Sequence, residues 1–207
     1  AFAYQLEEKD DRMTALLPTE ETGWMKVFKT LDIALIRTKN FMSTVTAYGY
    51  KDYKGKAGSK YMHRPSGGAI SNLWVSGHGF LQASSVTEYS RPEPMHFPEA
   101  PGIKSLTPRI EYTDSNGYFT NLYEFDGRME SRSERGNKFV VSTTGELKDK
   151  NWLFGGVAYK SEYTFTDSSL RKEIILTYHD AWPVVKIVEP IINYDGMKFE
   201  KADSKTV

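Results

Sequence analysis

The 207-residue chain contains no cysteine, which removes disulfide frameworks, thiolate zinc sites and cysteine nucleophiles together. The redox compartment stays open. Excess charge of either sign is also absent, since 27 Lys and Arg balance 27 Asp and Glu. Nucleic-acid binding draws on clustered positive charge that displaces phosphate counterions, so no nucleic-acid partner is expected. No run of about 18 apolar residues occurs, so neither a membrane-spanning helix nor a membrane partner is expected. GxSxG, Walker, GxGxxG and HExxH motifs are missing as well, which sets aside serine-hydrolase, nucleotide-phosphate and zinc-protease chemistry. The N-terminus, Ala1-Phe2-Ala3-Tyr4, has neither an initiator Met nor the charged-then-apolar profile of a signal peptide. It reads as an excised piece or a processed product.

What the chain does have is a foldable composition, 39% hydrophobic with 14% aromatic, enough apolar surface to offset chain entropy. Period-two alternation dominates. Val157, Tyr159, Ser161, Tyr163 and Phe165 alternate with Ala158, Lys160, Glu162 and Thr164, the pattern of a strand with one wet face. After the turn Asp167-Ser168-Ser169, Leu170, Lys172, Ile174, Leu176 and Tyr178 continue it, so this pair is expected to be a hairpin. Further strands are expected over 24–28, 31–37, 41–50, 69–75, 79–84, 108–113, 118–125, 138–143 and 183–192. Asp114-Ser115-Asn116-Gly117 carries a strong hairpin signal.

About eleven short strands predict an all-β fold, a large antiparallel β-sandwich. A short helix is expected only near Tyr4 to Leu17, ahead of Pro18. Residues 1–20 are therefore read as a linker or helical tail and 21–207 as the sandwich domain. The charge-alternating stretch 126–135 reads as a solvated loop of ion pairs. Two other loops are expected, the Lys/Gly-rich 51–60 and the proline-rich 91–102.

Candidate chemistry gathers in two groups. Tyr61, His63 and Arg64 lie together, and Tyr or neutral His can take a proton while Arg neutralises a carboxylate. The other group consists of aromatics on which a sugar ring could stack, Trp74, Trp152, Trp182, Tyr118 and Tyr123, with Trp152, Tyr118 and His78 as the candidates for carbohydrate contact. Trp74, on an alternating strand, reads as core. The histidine spacing matches no standard zinc pattern, so no cofactor is expected, and a divalent metal would need neighbouring strands to bring His63 and His78 together.

The stretch from His63-Arg64-Pro65-Ser66-Gly67-Gly68 through Leu73-Trp74 and Gly77-His78-Gly79 to Leu81 resembles the start of the β-sheet domain of heparinase II/III-like polysaccharide lyases. His63 alone matches that family's paired histidines, because Tyr61 and Pro65 stand where a second His and an Asp would be. The resemblance implies the C-terminal β-sandwich region of a periplasmic or secreted lyase acting on uronate-containing glycans by β-elimination. Its partners would be an acidic polysaccharide and an N-terminal α-helical domain of the same parent protein. The sandwich would form one wall of the glycan cleft and be inactive alone. A non-catalytic carbohydrate-binding or structural accessory sandwich is the alternative.

Overall fold

In the computed structural model, residues 20–47, 66–84, 107–179, 182–192 and 198 are described. The expected N-terminal helix, both expected loops, and Tyr61, His63 and Arg64 lie outside them. The described residues contain twelve strands and one short 3₁₀ turn, Asn121–Tyr123, and no α-helix. Strands β1 (Trp24–Phe28), β2 (Ile33–Arg37), β3 (Phe41–Thr46), β4 (Ala69–Val75) and β5 (Gly79–Ala83) form a five-stranded antiparallel sheet in chain order. The second, seven-stranded sheet comprises β6 (Arg109–Asp114), β7 (Gly117–Thr120), β8 (Arg128–Glu134), β9 (Lys138–Lys148), β10 (Phe154–Phe165), β11 (Leu170–Tyr178) and β12 (Lys186–Val188). Its order is β11-β10-β9-β7-β6-β12, with β8 also pairing β9.

Both predicted hairpins form. Val157 faces Tyr178 and Phe165 faces Leu170 across β10 and β11, so the apolar residues of both strands share one face. Between β6 and β7, the Asp114 carboxylate accepts from the backbone N–H of Asn116 (2.7 Å) and Gly117 (3.2 Å), which ties the turn before the chain reverses.

Packing follows from these faces. Ala34, Ile36, Val45 and Ile70 of the five-stranded sheet meet Phe139, Val141, Tyr163 and Phe165 of the larger one in a single buried cluster. Each Val, Ile or Phe side chain among them contributes about 1.5–3 kcal/mol of burial. Farther along the same face of β9 and β10, Leu147, Val157 and Tyr159 join Ile110, Tyr112 and Phe119 in a second cluster. The chain after β11 supplies Val185 against it before β12 pairs with β6.

Three expectations need correction. The stretch 128–134 is not a loop but strand β8, paired along β9 from Arg128↔Thr144 to Glu134↔Lys138. The ion pairs are present, Arg132–Glu134 at 2.9 Å and Lys138–Glu134 at 2.8 Å. Charges line an exposed edge strand here, a device that discourages pairing with another chain. Trp74 is not core. It is half-buried, with the Arg37 guanidinium 5.2 Å above its ring, because the extra residue Ser71 in the β3–β4 pairing changes the phase of β4, so that Ile70 and Leu73 both face the core and Trp74 does not. The strand expected over 118–125 ends at Thr120, whose hydroxyl accepts from Leu122 N at 3.3 Å and starts the 3₁₀ turn.

Candidate functional site

The most heavily tied loop in the described residues is Ser66-Gly67-Gly68, immediately after Tyr61, His63 and Arg64 in sequence. Two left-handed glycines make it possible, with φ of 61° at Gly67 and 76° at Gly68. They also make room: a Cβ on Gly67 would collide with the Asn121 carbonyl, and one on Gly68 with the Thr143 side chain. The loop therefore drops between the sheets, where its own polar groups need partners.

Those partners come from both sheets. The Gly67 carbonyl accepts from the Tyr159 hydroxyl (2.8 Å) and from Asn121 Nδ2 (2.9 Å). Gly68 O accepts from the Tyr163 hydroxyl at 2.7 Å, and Ser66 Oγ donates to Leu122 O at 2.6 Å. On the other side, Gly67 N donates to Ala47 O (3.2 Å) and Gly68 N to Thr46 O (2.8 Å). Ala47 and Gly67 thus flank the 48–65 stretch and are bonded to each other. Burial raises the pKa of both phenols, Tyr159 further through the negative charge of Glu124. Both hydroxyls stay protonated and act as donors.

Behind this clamp is a buried ion pair. Lys148 Nζ reaches Glu124 Oε1 at 2.9 Å, and the Glu124 side chain is only 3% exposed. Its two oxygens also accept from Asp126 N (2.6 Å) and Glu146 N (2.9 Å). Asp126 and Glu146 carboxylates approach the same ammonium at 3.9 and 3.7 Å. Gly145 lets this group form, because a Cβ there would press on Glu124 and the Tyr159 hydroxyl.

The three candidates for sugar contact fall on different elements. His78 is exposed in the β4–β5 turn, its N–H bonded to Val75 O at 3.1 Å. Trp152 occupies the β9–β10 turn at a φ of 64°, half-buried against Phe125 at 5.8 Å between ring centroids. Tyr118 packs edge-on to Tyr123 and donates to Glu111 Oε2 at 2.7 Å, while Arg109 Nε approaches that oxygen at 2.6 Å. Among the described residues no three of His, Asp and Glu gather as a metal site.

The Tyr118 phenol is pushed up to about 12 by burial and by the Glu111 carboxylate that takes its hydrogen bond. Its folded value exceeds the unfolded one, near ~10. The phenol therefore favours folding below that value, and the contribution is lost as pH rises through about 12. Urea titrations of the chain across this alkaline range should show a falling midpoint, and Tyr118→Phe should have a shallower fall. An identical alkaline limb in the variant would refute the coupling.

Sequence reasoning singled out Gly67 and Gly68 only as part of a motif and missed Asn121, Glu124, Lys148, Tyr159 and Tyr163. The shared parity of Tyr159 and Tyr163 on β10 was the one available sign that both face inward.

Comparison with known proteins gives a consistent answer. The family model described as the ulvan lyase C-terminal domain matches residues 25–207. A broad-specificity ulvan lyase of Formosa agariphila is 29% identical over 194 residues, covering 90% of this chain. The chain spans 29% of that relative's length. No solved structure matches.

Proposed function

The chain belongs to the ulvan lyase C-terminal domain family, and from that premise we propose that it forms one wall of a glycan cleft in a lyase that cleaves uronate-containing polysaccharide by β-elimination. The clamp carries this reading. It fixes Ser66 and Gly67 against both sheets, and a reacting group gains most when the chain beside it is held rigidly. Residues 21–207 act as the sandwich domain and 1–20 as the link to an N-terminal α-helical domain of the same parent protein.

In the chemistry proposed, Arg64 neutralises the uronate carboxylate, which makes the adjacent C5 proton more acidic. His63 takes that proton, the C4–O4 bond breaks, and the electron pair leaves on O4, which Tyr61 protonates. A C4–C5 double bond remains on the sugar. Catalysis in the manner of heparinase II/III-like lyases belongs to this proposal. So does a periplasmic or secreted location, where a polymeric substrate is met. The 207-residue chain alone is inactive, because the opposite wall supplies substrate positioning.

The test is the ultraviolet absorbance of the unsaturated product, with ulvan as substrate. The chain alone should give none. The longer protein containing it should give product, and His63→Ala in that protein should lower the rate at least tenfold with KM little changed. Full activity of the longer His63→Ala protein would refute the assignment.

A further inference from the structure

The second cluster of the seven-stranded sheet ends in a surface feature that the clamp does not use. Tyr178, the last residue of β11, is half-buried against that cluster. Trp182 stacks on it, with ring centroids 4.7 Å apart and planes within 15°. Although one face of the indole lies on Tyr178, Trp182 remains 84% exposed. Beside the start of this segment, His179 meets Phe154 edge-on at 5.3 Å, and His179 N is bonded to Gly156 O at 2.9 Å. A Trp held flat in water has its apolar face uncovered, and the stack beneath it has already removed its rotational freedom.

We propose that the Tyr178–Trp182 stack is a sugar-binding platform on which a pyranose ring of the glycan lies against the open indole face. The proposal rests on the polysaccharide reading above and extends it to a second contact point. Position supports it. Tyr178 faces Val157 in register, and Val157 shares its face with Tyr159, whose hydroxyl holds Gly67. Strand spacing of about 4.8 Å and a two-residue rise of about 6.6 Å put the Cα atoms of Tyr178 and Tyr159 roughly 8 Å apart. Platform and clamp therefore lie on one face of the same sheet, two strand positions apart.

The open face of one stacked indole is comparable in size to a single pyranose ring. The balanced charge of the chain argues against a nucleobase as the stacking ligand.

The probe is ulvan itself, cast into native gels, with retardation of the 207-residue chain read against polymer concentration. Trp182→Ala is expected to weaken retention about tenfold or more and Trp182→Phe much less. Neither should shift the thermal midpoint, because the indole is exposed. Retention of Trp182→Ala within twofold of the parent overturns the platform, as does a parent chain that ulvan does not retard. Loss of retention in Trp182→Ala, together with full elimination activity of the longer His63→Ala protein, would keep the platform and remove the cleft-wall chemistry. The two proposals therefore fail separately.

Discussion

Gly67→Ala is expected to destabilise the sandwich by about 2–5 kcal/mol, lowering the urea midpoint or leaving the chain unfolded. Two costs add. The backbone at Gly67 has a φ of 61°, which costs an L-residue about 1–2 kcal/mol. The new methyl would also enter the space of the Asn121 carbonyl, with the Tyr159 hydroxyl 3.0 Å away, and overpacking of this kind costs about 1–3 kcal/mol. Neither neighbour can retreat cheaply, because Asn121 Nδ2 and Tyr159 both donate to Gly67 O. Gly77→Ala is the control. Its φ of 78° is similarly left-handed, yet nothing lies within 4 Å of the added atom, so only the backbone cost of about 1–2 kcal/mol applies. Equal losses in the two variants, measured by denaturation followed by circular dichroism, would show that the loop is not clamped.

Lys148→Met should cost about 3 kcal/mol or more, the effect of leaving a buried carboxylate without its cation. In the parent chain Lys148 Nζ is 2.9 Å from Glu124 Oε1, with side-chain exposures of 11% and 3%. Without the ammonium, the buried Glu124 carboxylate loses its cation and keeps the two backbone N–H groups bonded to it, which do not neutralise its charge. Glu124→Gln alone is also costly, since its amide presents one acceptor to two N–H donors. The double variant Lys148→Met/Glu124→Gln carries no unpaired buried charge. It should lose less than the sum of the single variants by at least about 1 kcal/mol. Strict additivity in chemical denaturation would mean that the pair is not coupled.

Legibility in the sequence followed the range of the interaction. The β10–β11 hairpin could be read because period two and a turn fix it locally, and its observed register keeps every expected residue on the expected face. Strand β8 could not. Arg128, Glu130, Arg132 and Glu134 alternate in sign along one face while the other offers only Met129 as an apolar residue, and what makes the segment a strand is the row of backbone partners that β9 provides. Trp74 was misread for a related reason: the extra residue Ser71 in the β3–β4 pairing changes which side chains of β4 enter the core. Residue type suggested several aromatics for sugar stacking, Trp182 among them, and favoured Tyr118 and Trp152 with His78, but type says nothing about neighbours. Tyr118 is tied to Glu111 and Trp152 rests on Phe125, while the exposed stacked indole belongs to Trp182.

By itself the sequence determined an all-β chain, most of its strands and its tight turns, because alternation and turn chemistry act over a few residues. Only the tertiary structure decided that Gly67 and Gly68 would be clamped. Their partners Asn121, Tyr159 and Tyr163 stand 54, 92 and 95 residues away along the chain. No local pattern encodes hydrogen bonds at that separation, which form only when two sheets close over a shared apolar face and leave each buried carbonyl in need of a donor.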